Sequence, residues 1–251
     1  MVLWPLTVSA VSSHVDERLA ALAFTLAVAA FALKSAVTSA GPALTLGQDI
    51  GGTRVAVLPS TKDKVYLFLQ GLGGSIEKSM MMPLVQNLNA RGSVVLVERR
   101  GFGNLRHLDP CIESSTDDAA VGAMVACSIA SEVVVVGFSL GASMALRLLP
   151  RMQFPTILVG GFFDARSLPN TNFAELLMTH VTVLSNESAI EAVPVDSRLA
   201  VVHSTEDAFI PHWQADRLAR HLRERGCQVY SVSIKGGHGE PSIPDVLLDQ
   251  F

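Results

Sequence analysis

The segment from Val133 to Gly141, Val-Val-Val-Val-Gly-Phe-Ser-Leu-Gly, constrains the fold more than any other. Four consecutive β-branched residues make a strand buried on both faces, the habit of a parallel sheet covered by helices. Gly-Phe-Ser-Leu-Gly follows without a break. Then come the helix formers Ala142–Leu149, stopped by Pro150. A chain that passes from strand through a glycine-flanked serine into a helix must turn sharply at the serine. Gly137 and Gly141 lack a Cβ, so strand and helix can approach closely there. This is the context of a nucleophile elbow, with the Ser139 hydroxyl projecting from the sheet. The pentapeptide alone is weak, because an ordinary glycine-rich βα turn has the same residues. What gives it weight is whether the rest of the chain supplies partners.

A serine nucleophile needs a base, and the base needs an acid to orient it. At an elbow these follow in the order acid, then histidine. Downstream, Leu199–His203 reads as a buried strand running into the polar loop Ser204–Pro211, which contains Asp207. Trp213–Arg225 has helical periodicity and closes at Gly226. Gln228–Ile234 alternates with period two, as a strand does, and ends in Lys-Gly-Gly-His-Gly, which places His238 on a glycine loop at a strand end. Ser139, Asp207 and His238 therefore occur in the required order, each after an expected strand. Asp164, after the apolar stretch Pro155–Gly160, is the alternative acid. Glu206 reads as a solvated loop charge.

On these motifs the chain resembles the α/β-hydrolase superfamily: Gly137-Phe-Ser-Leu-Gly141, Glu206-Asp207 with Ile210-Pro211, and Gly237-His238-Gly239. Within it the resemblance is to short-cap proteins related to serine aminopeptidases and membrane-associated acyl hydrolases. It implies an α/β fold, a mostly parallel central sheet flanked by helices with a minimal cap, and a Ser-His-Asp hydrolase. Such enzymes stabilise the oxyanion with the N–H after the nucleophile, here Leu140, and with a second N–H from the loop after an earlier strand. Val65–Leu69 is that strand by pattern, and Leu72 in Gln70-Gly-Leu-Gly-Gly74 is the second donor candidate. Many relatives carry His-Gly where this chain has Gln70-Gly71. The alternative is a glycine-rich turn that merely opens a helix. Ser93–Glu98 is a further strand, followed by Arg99-Arg-Gly-Phe-Gly, similar to the Asp-x-Arg-Gly-x-Gly stretch of relatives, where Arg100 reads as a scaffold residue.

Other chemistries find little support. No histidines have His-Glu-x-x-His spacing; His203 reads as the end of a buried strand, and His107, His180, His212 and His221 as loop or helix-face residues. Cys111, Cys127 and Cys227 are odd in number and far apart, so they read as free thiols. No cofactor and no metal are expected. A net charge of −4 without basic clusters argues against nucleic acid.

The chain divides into an N-terminal apolar segment, residues 1–50, and a hydrolase domain, residues 51–251. Leu19–Leu33 is uncharged, with Asp16, Glu17 and Arg18 before it and Lys34 after. It reads as an N-terminal apolar helix and membrane anchor, although a span needs about 20 residues. A cleaved signal peptide, with Thr38-Ser-Ala40 as the cleavage site, and a helix docked on the domain are the alternatives. The expected localisation is membrane-associated, or else secreted or soluble. Asn170–Met178 reads as a capped amphipathic helix in a short lid, which leaves an accessible, apolar acyl pocket. The expected partner is a small-molecule acyl substrate, an ester or thioester. A peptidase or amidase with the same triad, or a catalytically silent binding protein, are the other readings.

Overall fold

The structure, a computed structural model, describes residues 48–50, 53–101, 105, 111–183 and 185–251. The expected anchor at residues 19–33 lies outside the described residues, as do Phe102, Gly103 and Asn104 of the arginine-glycine stretch. Among the described residues no helix is long and apolar enough to cross a membrane.

Among the described residues, eight strands form one sheet in the order β1-β2-β4-β3-β5-β6-β7-β8: β1 Gln48–Ile50, β2 Thr53–Leu58, β3 Lys64–Leu69, β4 Ser93–Glu98, β5 Glu132–Phe138, β6 Thr156–Val159, β7 Arg198–Ser204 and β8 Gln228–Ile234. Strand β2 is antiparallel to β1 and to β4, and every other pairing is parallel. The sheet starts three residues before the expected domain boundary at Gly51, because Gln48–Ile50 pair with Thr53–Val55.

The buried runs explain the sandwich of layers. In β3 and β5, Val65, Leu67, Leu69, Val133 and Val135 point to one face, and Tyr66, Phe68, Val134 and Val136 to the other. Both faces are covered, as a continuous apolar strand requires. Helices α3 (Ile112–Ile129), α4 (Leu140–Leu148) and α7 (His212–Glu224) pack on the first face. Helices α1 (Ile76–Met80) and α2 (Pro83–Arg91) and the C-terminal α8 (Asp245–Leu248) pack on the second. Edge strand β8 instead alternates half-buried and exposed residues. The lid expected between Asp164 and Asp196 holds a short 3-10 turn (Ala165–Ser167), α5 (Thr171–His180) and α6 (Glu187–Ala192). Helix α5 starts where its cap predicts: the Asn170 side chain accepts a hydrogen bond from the Phe173 N–H at 3.0 Å.

Strands β3, β5, β7 and β8 run in the same direction, so the loops that follow them open on one edge of the sheet, where ligands bind in open α/β sheets. Strands β7 and β8 stay in register to their last residues, Ser204 opposite Ile234, which sets the loops carrying Asp207 and His238 side by side.

Candidate active site

Ser139 lies between β5 and α4 with φ 54° and ψ −116°. This is a region that side-chain-bearing residues avoid at a cost of about 1–3 kcal/mol. The surroundings enforce it. A Cβ on Gly141 would lie 1.9 Å from the Leu69 carbonyl oxygen, and one on Gly137 would lie 2.5 Å from the Gly141 carbonyl oxygen. Strand and helix are therefore backbone against backbone, and the Ser139 N–H is held by the Val159 carbonyl at 2.8 Å. The hydroxyl stands at the N-terminus of α4, where the helix dipole favours negative charge.

His238 reaches this hydroxyl from the loop after β8. Its Nε2 is 3.0 Å from Ser139 Oγ, and its Nδ1 is 2.6 Å from Asp207 Oδ2. An ionised carboxylate has no proton to give, so Nδ1 carries the hydrogen. That leaves the Nε2 lone pair to accept from the serine. The other Asp207 oxygen, Oδ1, accepts the N–H groups of Phe209 and Ile210, both at 2.9 Å. Burial pushes the Asp207 carboxyl up. The hydrogen bonds from His238 and these N–H groups outweigh it, so its pKa falls below the ordinary value.

Of the other sequence candidates, Asp164 is turned away: its Oδ1 and Oδ2 are taken by the Arg166 guanidinium at 2.9 and 2.8 Å. Glu206 is exposed. Leu72 sits in a turn closed by Gly74 N–H donating to the Gly71 carbonyl at 3.3 Å, with Gly73 at φ 70°. A Cβ on Gly71 would be 3.1 Å from the Cβ of Ser139, so the turn presses against Ser139. Among the described residues, neither the Leu72 nor the Leu140 N–H donates to a protein acceptor.

Several further residues support this geometry. Arg99, fully buried, donates from Nη2 to the Gly71 carbonyl at 2.6 Å and so holds the turn that carries Leu72. Burial lowers its pKa to about 9, opposed by the field of Asp118, which leaves it cationic at neutral pH. Arg100 is the scaffold expected: its N–H and Nε hold Asp118, each at 3.1 Å, and Thr53 donates to the same carboxylate at 2.6 Å. Gln70 is buried and accepts from the Ser79 hydroxyl at 2.5 Å, which ties the turn to α1. The Ser204 hydroxyl donates to the Gly236 carbonyl, linking the acid loop to the histidine loop. His203, at the end of β7 as expected, is buried with Nε2 2.7 Å from the Ile210 carbonyl beneath the acid loop; burial lowers its pKa. A motif search misses Arg99 and Ser204, whose partners lie 28 and 32 positions away in sequence. The cysteines Cys111, Cys127 and Cys227 are free, and no cluster of three metal-ligating side chains exists among the described residues.

A family model described as the alpha/beta hydrolase family matches residues 66–185. A search of curated proteins finds no match. Solved structures with the same fold include Thermogutta terrifontis esterase 2 phosphonylated by sarin, at 14% identity and TM-score 0.58, covering 80% of this chain and 86% of that one. Pyrococcus horikoshii acylaminoacyl peptidase matches at 20% identity and TM-score 0.57 over 74% of this chain, but only 35% of its own length. A Mycobacterium tuberculosis puromycin-hydrolyzing peptidase matches at 14% identity and TM-score 0.59 over 80% of this chain and 36% of its own. At such identities the likeness speaks for the fold. The family match over residues 66–185 and these structures agree on the α/β-hydrolase fold for this chain.

Proposed function

We propose that this protein is a serine hydrolase that cleaves acyl esters or thioesters through a covalent acyl-enzyme. Ser139 Oγ bonds to the carbonyl carbon as His238 Nε2 takes its proton. The oxyanion that forms is met by the N–H groups of Leu72 and Leu140. The carbon–leaving-group bond then breaks, and His238 returns the proton to the departing oxygen or sulfur. Water, deprotonated by His238, attacks the acyl-enzyme and releases the acid and the free serine. Asp207 keeps the imidazole in the tautomer these steps need. No cofactor enters the cycle.

The observation that carries this reading is the unbroken hydrogen-bonded series from Ser139 Oγ to His238 to Asp207, anchored at its far end by two backbone N–H groups. The intact series disfavours a silent binding protein. An amide or peptide substrate for the same residues is the second reading, and the peptidases among proteins of like fold favour it. Hydrolysis of p-nitrophenyl esters of graded chain length tests the proposal. Ser139→Ala should lower the rate by a factor of about a thousand or more at unchanged fold. Equal rates for variant and wild type would overturn it, and cleavage of aminoacyl amides in preference to esters would favour the second reading.

The membrane-anchor reading of residues 19–33 rests on the sequence. It predicts that the full chain sediments with membranes and resists extraction by high salt; full chain that stays in solution without detergent would overturn it.

A further inference from the structure

Three phenylalanines surround the histidine of the candidate triad. The rings of Phe138, Phe209 and Phe173 lie 5.2, 5.7 and 6.2 Å from the His238 ring, centre to centre. Phe173 and Phe209 meet edge to face at 5.8 Å. They come from three different places: the residue before the nucleophile, the lid helix α5, and the acid loop. Each is held by its backbone. The Phe209 N–H donates to Asp207 Oδ1, and the Phe173 N–H to Asn170. Phe209 is 43% exposed, so part of its ring beside the candidate triad is apolar surface open to a ligand. A rigid ring has little conformational freedom to lose when it meets a ligand.

Their side of the site says which part of a substrate they meet. The candidate oxyanion donors are on the turn after β3 and at the start of α4. The proton for the departing group comes from His238 Nε2, so the departing group must lie on the histidine's side. We infer that Phe173 and Phe209, floored by Phe138, form a leaving-group subsite that selects esters of apolar alcohols, aryl-bearing ones above all, over esters of small alcohols. This deepens the serine-hydrolase reading and rests on it. The aromatic rim acts while the acyl-enzyme forms. Once the alcohol has left, the rim has no leaving group to hold.

The test uses the full chain and two ester series. In the first, one acetyl group is joined to ethanol, benzyl alcohol and a naphthylmethanol, alcohols of similar acidity. In the second, benzyl alcohol is joined to acids of increasing length. In the wild type, kcat/KM should rise roughly ten-fold or more from the ethyl to the aryl esters. In Phe173→Ala, Phe209→Ala and the double variant the ratio of aryl to ethyl ester should shrink, in the double variant to within about three-fold. Phe173→Leu and Phe209→Leu, which keep apolar bulk, should retain most of the gain and report separately on folding. A flat alcohol series in the wild type, or a preference that survives in the double variant, would overturn the subsite while leaving the hydrolase reading intact. No turnover of any ester, together with an unreactive Ser139, would overturn both.

Discussion

Beside Ser139 an added methyl group has nowhere to go, whereas at the two glycines flanking His238 it would meet nothing. A Cβ at Gly141 would be driven into the Leu69 carbonyl, while at Gly237 and Gly239 no atom lies within 4 Å. The nucleophile is thus positioned by excluded volume: β5, α4 and the turn after β3 leave its strained backbone one place to be. The histidine is positioned by hydrogen bonds, its Nδ1–H donating to Asp207 and the Ser204 hydroxyl to the Gly236 carbonyl, and by the rings of Phe138, Phe173 and Phe209 around it. One half of the site is rigid because it is packed. The other rests on polar ties and on rings drawn from separate parts of the chain. The division suits the proposed chemistry, in which the imidazole serves first one oxygen and then another, whereas the serine attacks from one place.

The largest expected effect separates the halves by function. Asp207→Asn removes the carboxylate that fixes the tautomer and should reduce kcat by about 10³–10⁴, with the fold preserved. Asp164→Asn, whose carboxylate serves only Arg166 and its own turn, should change kcat little. Steady-state kinetics on one ester checks both, and a reversed ranking would assign the acid to the loop after β6.

The two halves also differ in how far they could be read from sequence. The nucleophile side was legible because excluded volume leaves a local record: Gly137, Ser139 and Gly141 must recur at fixed spacing, flanked by a strand and a helix. Asp207 and His238 were legible through their order and their place after strands β7 and β8. The residues that hold them were not. Arg99 acts on Gly71, 28 positions away, and Ser204 on Gly236, 32 away, and no spacing rule joins such pairs before the sheet does. Strand β1 was missed because three residues are too few to show a period. Asn170 at the head of the lid helix was readable because capping is local.

Next in size comes the packed half under strain. Gly141→Ala should cost about 3 kcal/mol or more, since the overlap is with backbone and cannot be relieved by a side-chain rotation. Thermal unfolding measures it, and a melting temperature close to that of the wild type would refute positioning by exclusion. A smaller loss is expected for Arg99→Met, which keeps the volume but frees the Gly71 carbonyl. It should lower kcat more than it raises KM, because the turn it holds is argued to act on the oxyanion rather than on bound substrate.

The smallest expected effects lie on the histidine loop. Gly237→Ala and Gly239→Ala should each change stability by less than about 0.5 kcal/mol. The acid beneath that loop has a pH signature. The Asp207 carboxyl sits below its ordinary value, so ionised Asp207 stabilises the folded state above the ordinary carboxylate value. That stability is lost as pH falls through its lowered folded value. The stability gap between wild type and Asp207→Asn should accordingly narrow on going from neutral pH towards pH 3, as denaturant titrations at each pH will show.

The central claim is that the strained, packed serine is a nucleophile primed by His238. Intact-mass analysis after exposure to a fluorophosphonate tests it most directly. The account predicts one adduct per chain, mapped to Ser139, absent in Ser139→Ala and formed far more slowly in His238→Ala. An unlabelled wild-type chain, or an adduct that persists in Ser139→Ala, would contradict it.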